Sequence, residues 1–456
     1  MKQFIKKAII ANGLFLSAFM PLSAKHIKGT TPNIIVFLTD DQGYQDVGCF
    51  GSPLIKTPNL DRMAQEGIRF TNFYSAAPVC SPSRAALLTG CYPPRVGVPR
   101  VVWPDDKMGL NPKEVTIAEM LKTKGYTTAC VGKWHLGDKP EFLPNNQGFD
   151  SYLGIPYSND MTVNAKFKWA NDAIFREGAT LESVRSGITI KEKVPLMRDG
   201  IVVEYPVDQT LLTQKYTQEA IRVIKTNKDK PFFIYLAHTM PHIPLHASEK
   251  FYGKSARGLY GDVIEEIDWS MGEILKTLKE LNIDDKTLVL FTSDNGPWNL
   301  KKGQGGSAAP LRGFKFETLE GGMREPMIAH WSGHIPAGTV CNEIASTIDF
   351  LPTIAWLTNA EKPKTTLDGA NIWPLLSAKN GAETPHKFYY YYSGTALQAV
   401  RSGDWKLRLI KGKAELYNLS SDISESKNSA AEHPDIVKKL TIQIAKFDKQ
   451  LKAHLH

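Results

Sequence analysis

Charge is scarce in this chain of 456 residues: Asp, Glu, Lys and Arg make up 22% of it, against 42% hydrophobic and 10% aromatic residues. So much apolar surface offsets chain entropy and excludes a disordered, collagen-like or coiled-coil protein. Cysteine is scarcer still: five in all, far too few for a disulfide scaffold. There is no internal repeat or low-complexity tract, and no segment beyond the first 24 residues is long and apolar enough to span a bilayer. The 55 basic and 47 acidic residues give a net charge of +8, a small excess that calls for no nucleic-acid partner.

Part of that excess belongs to the leading segment. Lys2, Lys6 and Lys7 precede an apolar stretch from Ala8 to Met20, and Leu22-Ser23-Ala24 offers a small-residue cleavage site. Residues 1–24 therefore read as a secretory signal peptide, with an uncleaved N-terminal anchor as the alternative. Its removal takes three lysines and no acids, so +8 becomes +5. The expectation is an exported protein, periplasmic or secreted, with no membrane span in its mature form. An odd number of cysteines in an oxidising compartment (Cys49, Cys80, Cys91, Cys130 and Cys341) suggests that one stands apart chemically.

Four segments read as buried strands of a parallel sheet: Ile34–Leu38, Thr127–Val131, Phe232–Leu236 and Leu288–Phe291. Helical patterns lie between them: Leu60–Gly67 with Asn59 as its cap, Thr116–Lys122, and Val263–Leu281. Alternation of this kind predicts an α/β fold with a large, mixed, mostly parallel sheet flanked by helices. After about Asp368 the pattern changes to short strands (Phe388–Tyr392, Leu397–Val400, Trp405–Ile410, Glu415–Asn418) and a terminal helix, Pro434–Leu451. This predicts a catalytic domain over 25–367 and a C-terminal α+β subdomain over 368–456. The run Tyr389–Tyr392 is expected as a buried edge of the small sheet rather than a sugar platform.

Each predicted strand of the large sheet runs into polar residues: Asp40-Asp41, Lys133-Trp134-His135, His238 through Pro241-His242, and Asp294-Asn295. Ligand crevices in open α/β sheets lie beyond the carboxyl ends of the strands, so these groups share one rim. Asp40, Asp41, Asp294 and Asn295 offer hard oxygen donors only, which suits Ca²⁺, with Mg²⁺ as the alternative. Taken singly, such residues are more often caps and turns. In Cys80-Ser81-Pro82-Ser83-Arg84, a cysteine opens a short apolar helix where amides and dipole favour an anion, and Arg84 one turn on can reach back to the same point.

Val79–Gly90 resembles the signature of the formylglycine-dependent sulfatases, in the alkaline phosphatase superfamily, and Gly125–His135 resembles that family's second signature. The likeness extends through Leu311–Lys315, Glu320–Pro326, Gly403–Leu407 and Glu415–Leu419. It is strongest to the arylsulfatase A and N-acetylgalactosamine-6-sulfatase branch, through Met108–Leu136, Gly154–Asp160 and Gly305–Gly313. One departure is Asp422-Ile423, where relatives usually carry Pro after the Asp.

The resemblance implies that Cys80 is converted to formylglycine by a formylglycine-generating or anaerobic sulfatase-maturing enzyme. It implies one metal ion held by Asp40, Asp41, Asp294, Asn295 and the residue at Cys80. On that resemblance the hydrated aldehyde would attack sulfur and a covalent sulfated intermediate would form. The resemblance further implies that Arg84 and Lys133 stabilise charge, Lys315 holds a sulfate oxygen, His242 protonates the leaving alcohol and His135 assists release of sulfate. The substrate class implied is a sulfated carbohydrate, with exo action on galactose or N-acetylgalactosamine sulfates favoured. Substrate choice is assigned to Arg100–Lys107, Asn159–Arg176, His242–Lys250 and Trp298–Lys302. Two alternatives remain at this stage: a phosphonate monoester or phosphodiester hydrolase of the same superfamily, and an inactive glycan-binding relative.

Overall fold

In a computed structural model that describes residues 27–299 and 303–455, the chain builds two sheets. The signal segment lies outside the described residues, as does part of the Trp298–Lys302 loop. The large sheet contains β1 (Asn33–Thr39), β2 (Ile68–Tyr74), β3 (Thr127–Gly132), β4 (Ser151–Gly154), β5 (Lys168–Phe175), β6 (Leu196–Arg198), β7 (Ile201–Tyr205), β8 (Phe232–Ala237), β9 (Thr287–Ser293), β10 (Arg324–His330), β11 (Thr339–Cys341) and β12 (Ala345–Ser346). The small one contains β13 (Tyr389–Ser393), β14 (Ala396–Ser402), β15 (Trp405–Ile410) and β16 (Lys413–Asn418). The α-helices are α1 (Pro58–Glu66), α2 (Cys80–Thr89), α3 (Ile117–Lys122), α4 (Leu181–Arg185), α5 (Leu212–Thr226), α6 (Leu259–Glu280), α7 (Glu320–Met323), α8 (Phe350–Thr358), α9 (Trp373–Leu376) and α10 (Pro434–Ala453).

The large sheet runs β11-β2-β10-β9-β1-β8-β3-β4-β6-β7-β5, with β12 also on β2. Its centre, β9-β1-β8-β3-β4, is parallel, and β10 and β6 pair antiparallel on either side. Both faces are covered. Along β1, Ile34, Val36 and Leu38 face a core shared with α2, α3 and α8, while Ile35 and Phe37 face one shared with α1, α5 and α6. This is the layered α/β architecture expected, with continuous apolar strands because neither face meets water.

The small sheet is antiparallel in the order β13-β14-β15-β16. Its tyrosines, Tyr389 to Tyr392, are buried on the edge strand with Leu440, Ile444 and Leu451 of α10 in the same core. Glu320 on α7 ties this sheet to the large one. It accepts hydrogen bonds from Tyr74 of β2, Tyr391 of β13 and Lys406 of β15, and Lys406 also meets Glu425 at 2.9 Å. Glu425, two residues beyond Ile423, is thus a buried structural carboxylate.

One expected cap is corrected. Asn59 lies inside α1, which begins at Pro58 after Thr57. Proline supplies no N–H and fits the first helical position. The free amides of Asn59 and Leu60 instead donate to the Asp268 carboxylate of α6, at 3.0 and 2.8 Å. All five cysteines, Cys49, Cys80, Cys91, Cys130 and Cys341, are free.

Candidate active site

The parallel register of β1 and β9 pairs Thr39 with Ser293, so both strands deliver their acidic residues to one place. Ligand oxygens of Asp40, Asp41 and Asp294 all lie within 4.8 Å of one another, and the three residues are buried. The Asn295 amide donates to Asp41 Oδ1 at 2.7 Å, which brings its carbonyl to the same cluster. Among the described residues, Asp40 Oδ1 and Asn295 Oδ1 are buried without a hydrogen-bond partner. Arg84 Nη2 stands 3.4 Å from Asp40 Oδ1, while Asn295 Oδ1 has no such neighbour among the described residues, and a buried oxygen so placed is costly. Burial, then the neighbouring Asp40, pushes the Asp294 carboxyl up to about 7. Asp41 is likewise raised, by burial first. A crowded set of hard oxygens with carboxyls driven upward fits a divalent cation of the Ca²⁺ or Mg²⁺ type.

Three cations face these carboxylates. Lys133 Nζ lies 2.6 Å from Asp40, Lys315 Nζ 2.8 Å from Asp41, and Arg84 Nη2 2.8 Å from Asp294. Burial alone would raise the Asp40 carboxyl, but Lys133, His242, Arg84 and Lys315 together hold it well below the usual range. Lys133 owes its place to Gly132, where the chain leaves β3 with φ +109 and a Cβ would sit 1.8 Å from Ala237 O. Only glycine fits that exit. Lys315 is placed by its own N–H, which donates to Pro297 O at 3.0 Å.

Cys80 opens α2, a helix buried along its whole length. Lys133, Lys315, Asp40 and Asp294 all act electrostatically on its thiol, though burial dominates and raises its pKa. An ordinary thiol there is therefore a poor nucleophile.

His135 and Asp41 both adopt left-handed backbone, with φ of 61° and 63°, and non-glycine residues in that region concentrate at functional sites. His135 Nε2 lies 3.0 Å from Val102 O, in the Arg100–Lys107 loop, and its Nδ1 has no partner among the described residues. His242 Nδ1 lies 2.6 Å from Ile243 O and 3.0 Å from Asn159 Oδ1; two acceptors there assign the proton to Nδ1 and leave Nε2 facing Asp41 Oδ2 at 3.6 Å. Burial, then nearby lysines, depresses both histidines well below their ordinary pKa. His238 packs against Phe37 and meets Ser270 at 3.2 Å, a structural role, and the charged groups acting on His246 are Lys193 and Asp208.

Every sequence-predicted site residue thus lies in or against one buried cluster. Two members were not singled out by sequence. Ser158 Oγ sits 3.3 Å from both Lys133 Nζ and His242 Nε2, and Asn159 orients His242. Both fall in a loop, where polar residues carry no periodic signal.

The Sulfatase family model matches residues 32–360 of this chain. The chain belongs to the sulfatase family. A second model, N-sulphoglucosamine sulphohydrolase, C-terminal, matches residues 315–450 of this sulfatase. It is 39% identical to arylsulfatase A of Homo sapiens over 86% of this chain and 77% of that protein. It is 41% identical to N-acetylgalactosamine-6-sulfatase of Mus musculus over 83% and 72%. The crystal structure of Ps i-CgsB in complex with k-i-k-neocarrahexaose superimposes with a TM-score of 0.80 at 33% identity, covering 92% and 93%. The sulfatase is a sulfuric ester hydrolase.

Proposed function

We propose that this sulfatase removes sulfate from a sulfated carbohydrate, using a formylglycine made from Cys80. The observation that carries the reading is the buried cluster itself: a cysteine in a signature segment, flanked by three carboxylates and three fixed cations. The sugar assignment is supported by relatives named for N-acetylgalactosamine 6-sulfate and by a structural neighbour in complex with a neocarrahexaose. Galactose or N-acetylgalactosamine sulfates are the favoured substrates.

Asp40, Asp41, Asp294 and Asn295 would hold Ca²⁺, completed by the residue at position 80. When bound, the cation supplies Lewis acidity that eases ionisation of a hydroxyl on the nucleophile. A hydrated formylglycine at position 80 would supply two hydroxyls, one as the nucleophile toward sulfur and a second that serine lacks. Around them, Lys315 and Lys133 neutralise sulfate oxygens, and Arg84 holds the nucleophile's surroundings rigid through Asp294 and the Lys133 carbonyl. His242, its Nδ1–H held by Asn159 and Ile243, turns Nε2 toward the leaving oxygen and takes up a second proton there before passing it to that oxygen, and His135 serves the release step.

Conversion of Cys80 calls for a maturation enzyme, and export calls for the leading signal; both belong to this proposal. Among the described residues no helix is long and apolar enough to cross a membrane. The test has two parts. Mass analysis of the peptide bearing Cys80 should show the aldehyde after co-expression with a maturation enzyme. The matured protein should release sulfate from a sulfated sugar far faster than it cleaves a matched phosphodiester; dominant phosphodiesterase activity overturns the reading.

A further inference from the structure

Phe316 follows Lys315 and is strained for a side chain of its size. Its N–H donates to Pro78 O at 2.9 Å, while the Lys315 N–H donates to Pro297 O. These bonds fasten the segment to the chain entering Cys80 and to the loop leaving Asn295. The backbone at Phe316 has φ +79, where a bulky L-residue is a genuine outlier and glycine would sit freely. Nothing in the backbone asks for phenylalanine, and its ring gains little by burial, being 49% exposed.

The ring does have a position. It meets Trp298 edge to face at 6.0 Å between centroids, and Trp298 lies 5.3 Å from the His242 imidazole. Lys315 Nζ is 4.7 Å from the centre of Trp298 and 5.7 Å from that of Phe316. A sulfate oxygen held by Lys315, with its bridging oxygen toward His242, would bring the attached alcohol beside these rings, since Trp298 neighbours both groups and Phe316 neighbours Lys315. Exposed aromatic surface beside a polar reaction centre is the usual means of seating a ring with both hydroxyls and C–H faces.

We infer that Phe316, backed by Trp298, forms an aromatic subsite that stacks against the pyranose ring carrying the sulfate. The inference rests on the carbohydrate reading above and adds the surface that selects the sugar. An apolar wall favours rings that gather C–H groups on one face, as galacto-configured sugars do.

The test uses the matured full-length enzyme and its Phe316→Gly and Phe316→Tyr variants. Substrates are 6-sulfated galactose and N-acetylgalactosamine, with an aryl sulfate as reference and inorganic sulfate as inhibitor. Phe316→Gly should raise KM for its sugar sulfate about tenfold, equivalent to about 1.4 kcal/mol. Its kcat should stay within about threefold and its inhibition by sulfate should be unchanged. Relief of the strained φ should leave its Tm equal or higher. Phe316→Tyr should behave like the parent. An unchanged KM in Phe316→Gly overturns the subsite, as does a parallel loss of sulfate inhibition, which would make Phe316 a support for Lys315. Failure of the carbohydrate reading looks different: the parent would then cleave the aryl sulfate and neither sugar, and the subsite would fall with it.

Discussion

A serine at position 80 offers one hydroxyl where hydrated formylglycine offers two. Cys80→Ser should therefore lose turnover by at least about 10³-fold, measured as steady-state sulfate release, because the second hydroxyl's exit is gone. Full turnover by that variant would remove formylglycine from the mechanism. A second residue tests charge away from the site. His386 Nε2 lies 2.8 Å from the buried Asp349 carboxylate, which outweighs burial and raises the histidine's pKa. A raised folded pKa means stability that is complete below the ordinary histidine value near about 6.5 and is lost as pH climbs through the raised one. Parent and His386→Gln should thus differ in Tm most at acidic pH and converge in alkali; a pH-independent gap would refute this. At this scale sequence was informative where a strand end or a signature marked a residue, as for Asp40, Lys133 or Cys80. It placed Ser158 and Asn159 in a resembling segment without giving either a role, and did not mark Phe316; their importance comes only from what faces them.

Among the elements, the junction between the two sheets turns on α7. Glu320 is buried with Lys406, Arg401 and Arg324 around it, and these outweigh burial to keep it ionised. Glu320→Gln leaves buried cations short of a partner and should destabilise the protein by about 3–5 kcal/mol in denaturant titration. A change under about 1 kcal/mol would show that the tyrosine-rich core holds the small sheet unaided. The central strands and α6 were legible because their apolar patterns are long and regular. β5 was not: it alternates little, half its residues are exposed and none is buried. Neither was the antiparallel β2–β10 pair, since pairing direction leaves no trace in composition. The cap of α1 was misplaced for a related reason: its acceptor, Asp268, lies on another helix.

At the scale of the whole molecule, β1 and β9 meet through the acidic cluster, so a bound cation should stabilise the fold as well as the reaction. Calcium at a hundredfold excess over its Kd should contribute about 2.7 kcal/mol, read as a rise in Tm that a chelator reverses. No change in Tm between chelated and calcium-loaded protein would exclude binding at these residues. The Asp40→Ala variant supplies the control, since it should lose the calcium response.

The sequence alone determined the chemistry available: which oxygens, cations, histidines and cysteine the chain carries, and that several stand at the ends of buried strands. Strand identity follows from local apolar pattern, and signature segments are local too. The tertiary structure decided which of these groups touch. It paired each carboxylate with its own cation, set Ser158 and Asn159 on His242, and stood a strained phenylalanine beside Lys315. Those contacts join residues up to hundreds of positions apart, and only sheet order and register bring them within a hydrogen bond's length.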